Sequence, residues 1–403
     1  MKLIEGGVTS PRGFSANGIH CGIRKSRTKR DLCLIVSDRP ASAAAVYTTN
    51  LVKGAPLKVT KKNLENGTAR AVICNSGNAN TCNADGVGIA EKMCSLAADA
   101  LGIDPSDVVV ASTGVIGEPL SIDPIAAGIG ELAAGLGDHN DLAAEAIMTT
   151  DVRMKSFAVS FDIGGVECRL GGIAKGSGMI HPNMATMLVF ITTDCSVPSS
   201  ALRAALSHDI KNTFNMISID GDTSTNDMVV VLANGASGSP EVTEDSEYFP
   251  VFMKALNTVT VALCRAIAAD GEGATKLLEC AVTGAKDEEC AKTVAKAVVC
   301  SSLTKAAMFG ADANWGRVLC AAGYSGAPID PDRVGVVFSS RAGDIEVCRD
   351  GAGVPFSEEL AKKILSEDEI TIRVSLGEGD ASATAWGCDL TYDYVKINGD
   401  YRT

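Results

Sequence analysis

A mixed α+β protein, with several sheet segments covered by helices, is the fold class that the sequence predicts. Three kinds of pattern carry that expectation. Short apolar runs rich in β-branched residues recur through the chain and read as buried strands. A strict alternation appears at Phe157, Val159, Phe161 and Ile163, turns at Gly164 and Gly165, and alternates back through Val166, Cys168 and Leu170. That is a hairpin. Between these stretches lie runs with apolar residues at helical spacing, such as Ile125, Ile129, Leu132 and Leu136.

Taken in order, residues 6–14 form a turn-rich opening, and residues 31–37 and 43–49 read as two strands. The basic stretch 24–30 between apolar segments reads as a solvated hairpin tip. Residues 71–74 form a strand that ends in the amide-rich loop 75–80, whose side chains can donate and accept in several directions. A helix follows from about Val87, with Ile89, Met93, Leu96 and Ala100 on one face. The strand 108–110 runs into a glycine turn at 111–117, where backbone amides can point at a ligand. Asp123 and Pro124 suit a helix N-cap and first turn. After the hairpin, residues 187–191 read as a core strand. Pro198, Ser199 and Ser200 open a helix with Leu202, Leu206 and Ile210 on one side. Residues 228–232 form a strand, 248–269 a long helix, and another helix starts near Asp287. The last quarter reads mostly as strands, at 333–338, 345–348, 370–376 and 389–397, interrupted by a helix at 358–365. No tandem repeat and no low-complexity linker is visible.

The 403 residues are enough for two or more domains or one large layered unit. Hydrophobic residues make up 46% but aromatics only 4%, so the core must be built of Ala, Val, Ile and Leu. The formal net charge of -13 argues against nucleic acid or an anionic membrane as partner. The 14 cysteines are scattered, without zinc spacing, and read as reduced cytosolic thiols. Cys74, Cys264, Cys300 and Cys320 lie in apolar surroundings. No signal segment and no apolar run of transmembrane length is evident, so a soluble cytoplasmic protein is expected. No metal or cofactor is expected either. The acidic loop 220–227 has Val231 where a calcium loop starting at Asp220 needs glutamate. The stretch 270–276 has Thr275 where a phosphate loop needs glycine before its lysine.

The sequence is organised around residues 175–194. Gly176 and Gly178 permit unusual backbone geometry, and Pro182 holds His181 extended. Thr186 stands where this glycine-rich loop meets the core strand 187–191. Lys-Gly-Ser-Gly-Met-Ile-x-Pro-Asn-Met-Ala-Thr-Met-Leu closely resembles the self-cleavage segment of the ornithine acetyltransferase family, the glutamate N-acetyltransferases of arginine biosynthesis. The resemblance extends through the opening 6–14, the loops 75–80, 112–117 and 148–151, and the segments 222–227, 270–276, 314–317 and 395–403. Ala311, Ala313 and Gly399 depart from residues common in the family, at positions it does not use for chemistry.

The resemblance implies an αββα layered, N-terminal-nucleophile-like fold with a further α/β C-terminal portion. It implies that the bond between Ala185 and Thr186 is cut by the chain itself, leaving an alpha fragment of residues 1–185 and a beta fragment of residues 186–403. Thr186 would then be the nucleophile. A threonine hydroxyl needs a neighbouring base, and the freed α-amine, with a reference pKa of about 8, is on the same residue. Thr113 and Gly114 would form the oxyanion hole. Thr150, Lys175, Thr186, Glu272, Asn398 and Thr403 would bind the amino-acid substrate; one cation and one anion suit a zwitterion. The implied reaction moves an acetyl group from N2-acetylornithine to glutamate through acetyl-threonine. The sequence leaves acetyl-CoA open as a second donor. The fragments would assemble as an α2β2 heterotetramer. Two rival readings stand beside this one: a self-processing aminopeptidase or amidase, in which water is the acceptor, and an uncut, catalytically silent amino-acid-binding protein.

Overall fold

The computed structural model describes residues 1–26, 28–181 and 187–400. Ala185, Thr186 and Thr403 lie outside the described residues. In chain order the elements are β1 (Lys2–Ile4), β2 (Phe14–Ile19), β3 (Leu32–Tyr47), α1 (Ala55–Asn63), β4 (Thr68–Asn75), α2 (Gly86–Leu101), β5 (Val108–Ser112), α3 (Asp123–Ala134) and α4 (Asn140–Ile147). Next come β6 (Lys155–Ile163), β7 (Val166–Lys175), β8 (Leu188–Thr193), α5 (Ser199–Asp209), β9 (Ile217–Ser218), β10 (Met228–Ala233), α6 (Phe249–Ala269) and β11 (Leu277–Ala285). The chain ends with α7 (Glu288–Cys300), α8 (Ser302–Phe309), α9 (Trp315–Gly323), β12 (Gly335–Ser340), β13 (Gly343–Arg349), β14 (Ala352–Gly353), α10 (Glu358–Leu365), β15 (Glu369–Ser375), β16 (Ala381–Cys388) and α11 (Tyr392–Asp400). The α+β class is as expected.

Two compact units share the chain. The first holds residues 1–176, 183–211 and 223–263; the second holds 177–182, 212–222 and 264–403. The expected cut at 185/186 is a break in the chain and not a division into units, and each unit draws on described residues from both sides of it.

The first unit is built on a nine-stranded sheet in the order β1-β6-β7-β8-β10-β3-β4-β5, with β2 on β3. β8 lies between β7, antiparallel, and β10, parallel. Its six residues are all buried. A strand covered on both faces must be apolar throughout, which is why these strands read as continuous runs rather than alternations. The pleat sorts them. Cys33, Ile35, Val72, Cys74 and Val109 join one core with Ala143, Ala144 and Ile147 of α4. Leu32, Leu34, Ala71, Ile73, Val108 and Val110 join another with α2 and α3. α2 presents Ala90, Met93, Cys94, Ala97 and Ala98 to the core, so its buried stripe is turned from the expected one and Ala100 is exposed. The strands expected at 31–37 and 43–49 are one strand, β3, with an irregularity against β4 between Val36 and Ala41. At the tip 24–30 the described residues Lys25, Ser26, Thr28 and Lys29 are exposed, as expected, while at its base the Arg24 guanidinium donates to Ser76 O at 2.9 and 2.6 Å and also to Met148 O.

The second unit is built on a seven-stranded sheet in the order β14-β13-β12-β15-β11-β16-β9. The strand expected at 389–397 is instead the helix α11. Asp389 is spent on the 275–276 backbone, accepting from Thr275 N at 2.8 Å and Lys276 N at 3.0 Å. Thr391 then accepts from Tyr394 N at 3.4 Å in the first turn of the helix. The strand of this region is β16, whose small residues 381–385 carry little strand signal.

α6 is long and apolar enough to cross a membrane by length and composition, which the sequence reading missed, and half of its most apolar stretch is buried inside the protein. Phe252 there meets Phe161 of β6, ring centroids 6.5 Å apart. All fourteen cysteines are free. Cys320, expected in apolar surroundings, is exposed.

Glycine spacing within the first unit gives a test. A Cβ on Gly171 of β7 would stand 2.0 Å from the Gly7 carbonyl oxygen. On Gly130 in α3 it would meet nothing within 4 Å. Gly171→Ala is expected to destabilise by about 1–3 kcal/mol through overpacking. Gly130→Ala should be neutral or stabilise by up to about 1 kcal/mol, as alanine does in a helix. Thermal unfolding of the two variants checks the ordering.

Candidate active site

At one end of the first sheet, four strand termini converge in register. Lys175, the last residue of β7, stands opposite Leu188, the first of β8. Leu188 in turn is beside Met228 of β10, and Met228 is beside Tyr47 at the end of β3. β5 ends at Ser112, so the sheet delivers Thr113 and Gly114 as the chain leaves it.

The turn after β5 is held from several sides. Thr113 N donates to Asn75 O at 2.9 Å. The Asn75 amide donates to Ser112 Oγ at 2.6 Å and its oxygen accepts from Gly77 N and Asn78 N at 3.2 and 3.1 Å. Asn226 ties the same region together, donating to Ala79 O at 2.6 Å and Ser112 O at 3.0 Å. The amides of the 75–80 loop are thus partly spent on bracing the turn rather than on a ligand. Gly114 has φ +128°, and a Cβ there would sit 2.7 Å from the carbonyl carbon of Gly77. Only glycine fits.

Of the two expected oxyanion donors, the sequence foresaw two backbone N–H groups. The Thr113 N–H is committed to Asn75, so what Thr113 can offer is its hydroxyl. Lys175 Nζ donates to that hydroxyl oxygen at 3.2 Å, which leaves the Thr113 O–H proton free to donate elsewhere. The Gly114 N–H meets no protein acceptor among the described residues.

Beneath Lys175 lies a buried carboxylate that the sequence reading did not single out. Asp151 is 1% exposed, and its Oδ1 accepts from Lys155 Nζ at 2.6 Å and from Gly176 N at 2.7 Å. Its Oδ2 accepts from Thr149 N at 3.0 Å. Burial alone would raise its pKa, but Lys155, Lys175 and the Gly176 amide outweigh it and hold the carboxyl well below the usual range. The stability this contributes is complete above the ordinary carboxylate pKa and is lost as pH falls through the lower folded value. The Lys175 pKa is lowered as well, for a different reason. Burial lowers its pKa; Asp151 and Asp227 oppose this, and the like charge of Lys155 adds to it. Asp227 is buried, and burial pushes its pKa well up against the Ser224 hydroxyl and the Lys175 charge. Cys74 is likewise pushed up to about 12 by burial, with Lys175 opposing. The first unit therefore brings together Thr113, Gly114 and Lys175. Thr150 is partly buried in the turn that Asp151 holds.

The second unit brings together Glu272 and Asn398. Asn398 Nδ2 of α11 donates to Glu272 Oε2 at 2.7 Å. Glu272 is 9% exposed, and its N–H donates to Ser177 O at 3.0 Å. A Cβ on Gly178 would lie 2.4 Å from the Glu272 carboxylate, so glycine is needed where the loop passes that acid. Gly273 has φ +69°, and its carbonyl accepts from Thr391 Oγ1 at 2.7 Å. His181, given no role from the sequence, has Nδ1 at 3.0 Å from Ser218 Oγ, and burial with the Lys296 charge lowers its pKa to about 4. A neutral imidazole at neutral pH follows. No His, Cys, Asp or Glu cluster fit for a metal occurs among the described residues.

Asp151, Lys155 and Asn226 were given no individual role from the sequence, and Asn75 stood out only as part of the amide-rich loop 75–80. Asp151 and Lys155, four residues apart and opposite in charge, were the one visible signal.

Comparison with known proteins identifies the family. The signature of the ArgJ family covers residues 15–403. The arginine biosynthesis bifunctional protein ArgJ of Symbiobacterium thermophilum is 52% identical over 406 residues, spanning the whole of both chains. That of Clostridium acetobutylicum, ArgJ 1, is 50% identical over 98% of this chain and 97% of its own. A crystal structure of the protein of that name from Bacillus halodurans is 46% identical, with a TM-score of 0.51 over 53% of this chain and 98% of that one. The chain belongs to the ArgJ family of bifunctional arginine-biosynthesis enzymes.

Proposed function

We propose that the chain cuts its own bond between Ala185 and Thr186, and that Thr186 then carries an acetyl group from N2-acetylornithine to glutamate. The observation that carries this reading is the Lys175 Nζ to Thr113 Oγ1 contact at the sheet end where β8 begins, two residues after Thr186 in sequence. It leaves a hydroxyl proton and the Gly114 N–H as donors for an oxyanion.

In the first step the Thr186 hydroxyl attacks the Ala185 carbonyl, the C–N bond breaks, and water opens the resulting ester. This frees the Thr186 α-amine. In the transfer, the α-amine takes the hydroxyl proton as Thr186 Oγ attacks the acetyl carbonyl. The Thr113 hydroxyl and the Gly114 N–H stabilise the negative oxygen of the tetrahedral intermediate. The α-amine returns the proton to the leaving ornithine nitrogen. The glutamate amine then attacks acetyl-Thr186 and takes the acetyl group. Lys175 offers an ammonium to a substrate carboxylate and Glu272 a carboxylate to a substrate ammonium, with Thr150, Asn398 and Thr403 completing the binding set. The word bifunctional in the relatives' names extends the proposal to acetyl-CoA as a second donor for the same acceptor. The two fragments stay together and pair as an α2β2 assembly in the cytoplasm.

Three outcomes test the reading. Thr186→Ala is expected to stay whole on a denaturing gel and to trap no radiolabelled acetyl, whereas the parent is cut and labelled on the 186–403 fragment. Thr186→Ser should cut and transfer more slowly, since it keeps the hydroxyl without the methyl that stiffens χ1. An alanine variant that transfers acetyl would place the nucleophile elsewhere. Product analysis with and without glutamate separates transfer from amidase action.

Thr113→Ala should fold normally and slow acetyl transfer by about 10- to 1000-fold, as loss of an oxyanion donor does. Parental rates in this variant would remove Thr113 from the mechanism.

The Lys175 ammonium must be charged to hold a carboxylate, and its pKa is lowered by burial. kcat/KM should therefore fall as pH rises through a value below the ordinary lysine pKa of about 10.4. Lys175→Met should lower kcat/KM by about 10- to 100-fold, the worth of a charged hydrogen bond, and abolish that alkaline limb.

A further inference from the structure

The acidic loop that follows β9 holds one end of the segment leading to Thr186. Asp220 Oδ2 accepts from Met179 N at 2.6 Å, and its Oδ1 accepts from Ile180 N at 2.9 Å. Oδ1 also accepts from Asp222 N at 3.2 Å, closing the loop's own turn. One carboxylate thus grips two consecutive backbone amides. The grip is extended by Ile219 N, which donates to Ile180 O at 2.7 Å, and by the His181 contact with Ser218.

The backbone at this point is unusual. Met179 has φ +56°, the left-handed region that an L side chain with a Cβ avoids. Its side chain is 42% exposed, so apolar packing does not hold it there. Such a conformation persists only where its surroundings over-determine it. The Asp220 carboxylate supplies that determination by accepting from both N–H groups of this turn. Burial and the nearby Asp220 charge raise the pKa of the Tyr394 phenol, one turn before Asn398 on α11.

From this geometry we infer that Asp220 is a positioning residue for chain scission: by fixing the left-handed turn at Met179 it sets the direction in which the chain enters the segment that contains Ala185 and Thr186. The inference rests on the scission proposed above. Asp220 acts through the backbone of residues 179–180, whose N–H groups it holds. The sequence gives Asp220 no role: the loop departs from the calcium template, and the family resemblance begins at Asp222.

The test follows the disappearance of full-length chain in freshly purified protein on a denaturing gel, alongside the thermal midpoint. Asp220→Asn keeps one acceptor oxygen and loses the charge, so scission should slow by about 10- to 100-fold, the worth of a hydrogen bond to a charged group. Met179→Gly removes the Cβ that opposes positive φ. In the Asp220→Asn background it should restore most of the scission rate. A general loosening of the fold would lower the midpoint and would not be rescued by that glycine. Met179→Val, with Asp220 intact, replaces an exposed side chain by a β-branched one that resists the left-handed region, and should also slow scission. Asp220→Asn or Met179→Val cutting at the parental rate overturns the inference, as does failure of Met179→Gly to rescue. If Asp220→Asn does not fold, the Met179→Val result decides alone. A parental chain that stays whole overturns the scission reading itself, and this one with it.

Discussion

The first unit's site depends on one buried carboxylate. Asp151 sits between the lysine that neutralises it, Lys155, and the one that faces the site, Lys175. Breaking a buried pair by removing one partner typically costs about 3–5 kcal/mol, because the other charge is left without compensation. The same oxygen atoms hold the amides of Thr149 and Gly176. Two loops distant in sequence are thereby fixed to one point: the turn carrying Thr150 and the end of β7 carrying Lys175. The charge of Lys175 depends on the same group, since Asp151 is the largest influence opposing its burial. Position and protonation of the candidate substrate-binding lysine have a common origin.

Much of the fold was legible because its strands are apolar on both faces and its hairpin turns on paired glycines. β6, β7, β8 and β10 fall where alternation and β-branched runs place them. Ser357 and Asp287 cap helices through side chains, accepting from Leu360 N at 3.2 Å and Cys290 N at 2.8 Å. Where the reading failed, a tertiary contact decided. Residues 389–397 have strand-like composition, but Asp389 is held by the 275–276 backbone and a helix starts after it. β3 was split in two because an irregular stretch, 37–40, looks like a turn when its continuation along β4 and β10 is unseen.

The site was legible in part. Thr113, Gly114 and Lys175 came from the resemblance, and the fold joins them through a hydrogen bond that no spacing could reveal, since they are 62 residues apart. Asn75 and Asn226 were hidden for the opposite reason. Each looks like an ordinary loop amide, and its importance lies in bracing carbonyls and amides of other segments.

The place of β8 in the first sheet has a consequence for order of events. A chain broken before Leu188 leaves β1 to β7 on one polypeptide and β8 and β10 on the other, with β8 bonded to β7 on one side and β10 bonded to β3 on the other. Neither polypeptide alone can complete that sheet. If the chain cuts itself as proposed, the site that does so exists only once the sheet has closed, so the intact chain would fold first and break afterwards. Such a scission would work as a quality check: a misfolded copy would keep its peptide bond and never acquire a free threonine amine. The two products would also arise in equal number, already interlocked, with no partner to find by diffusion.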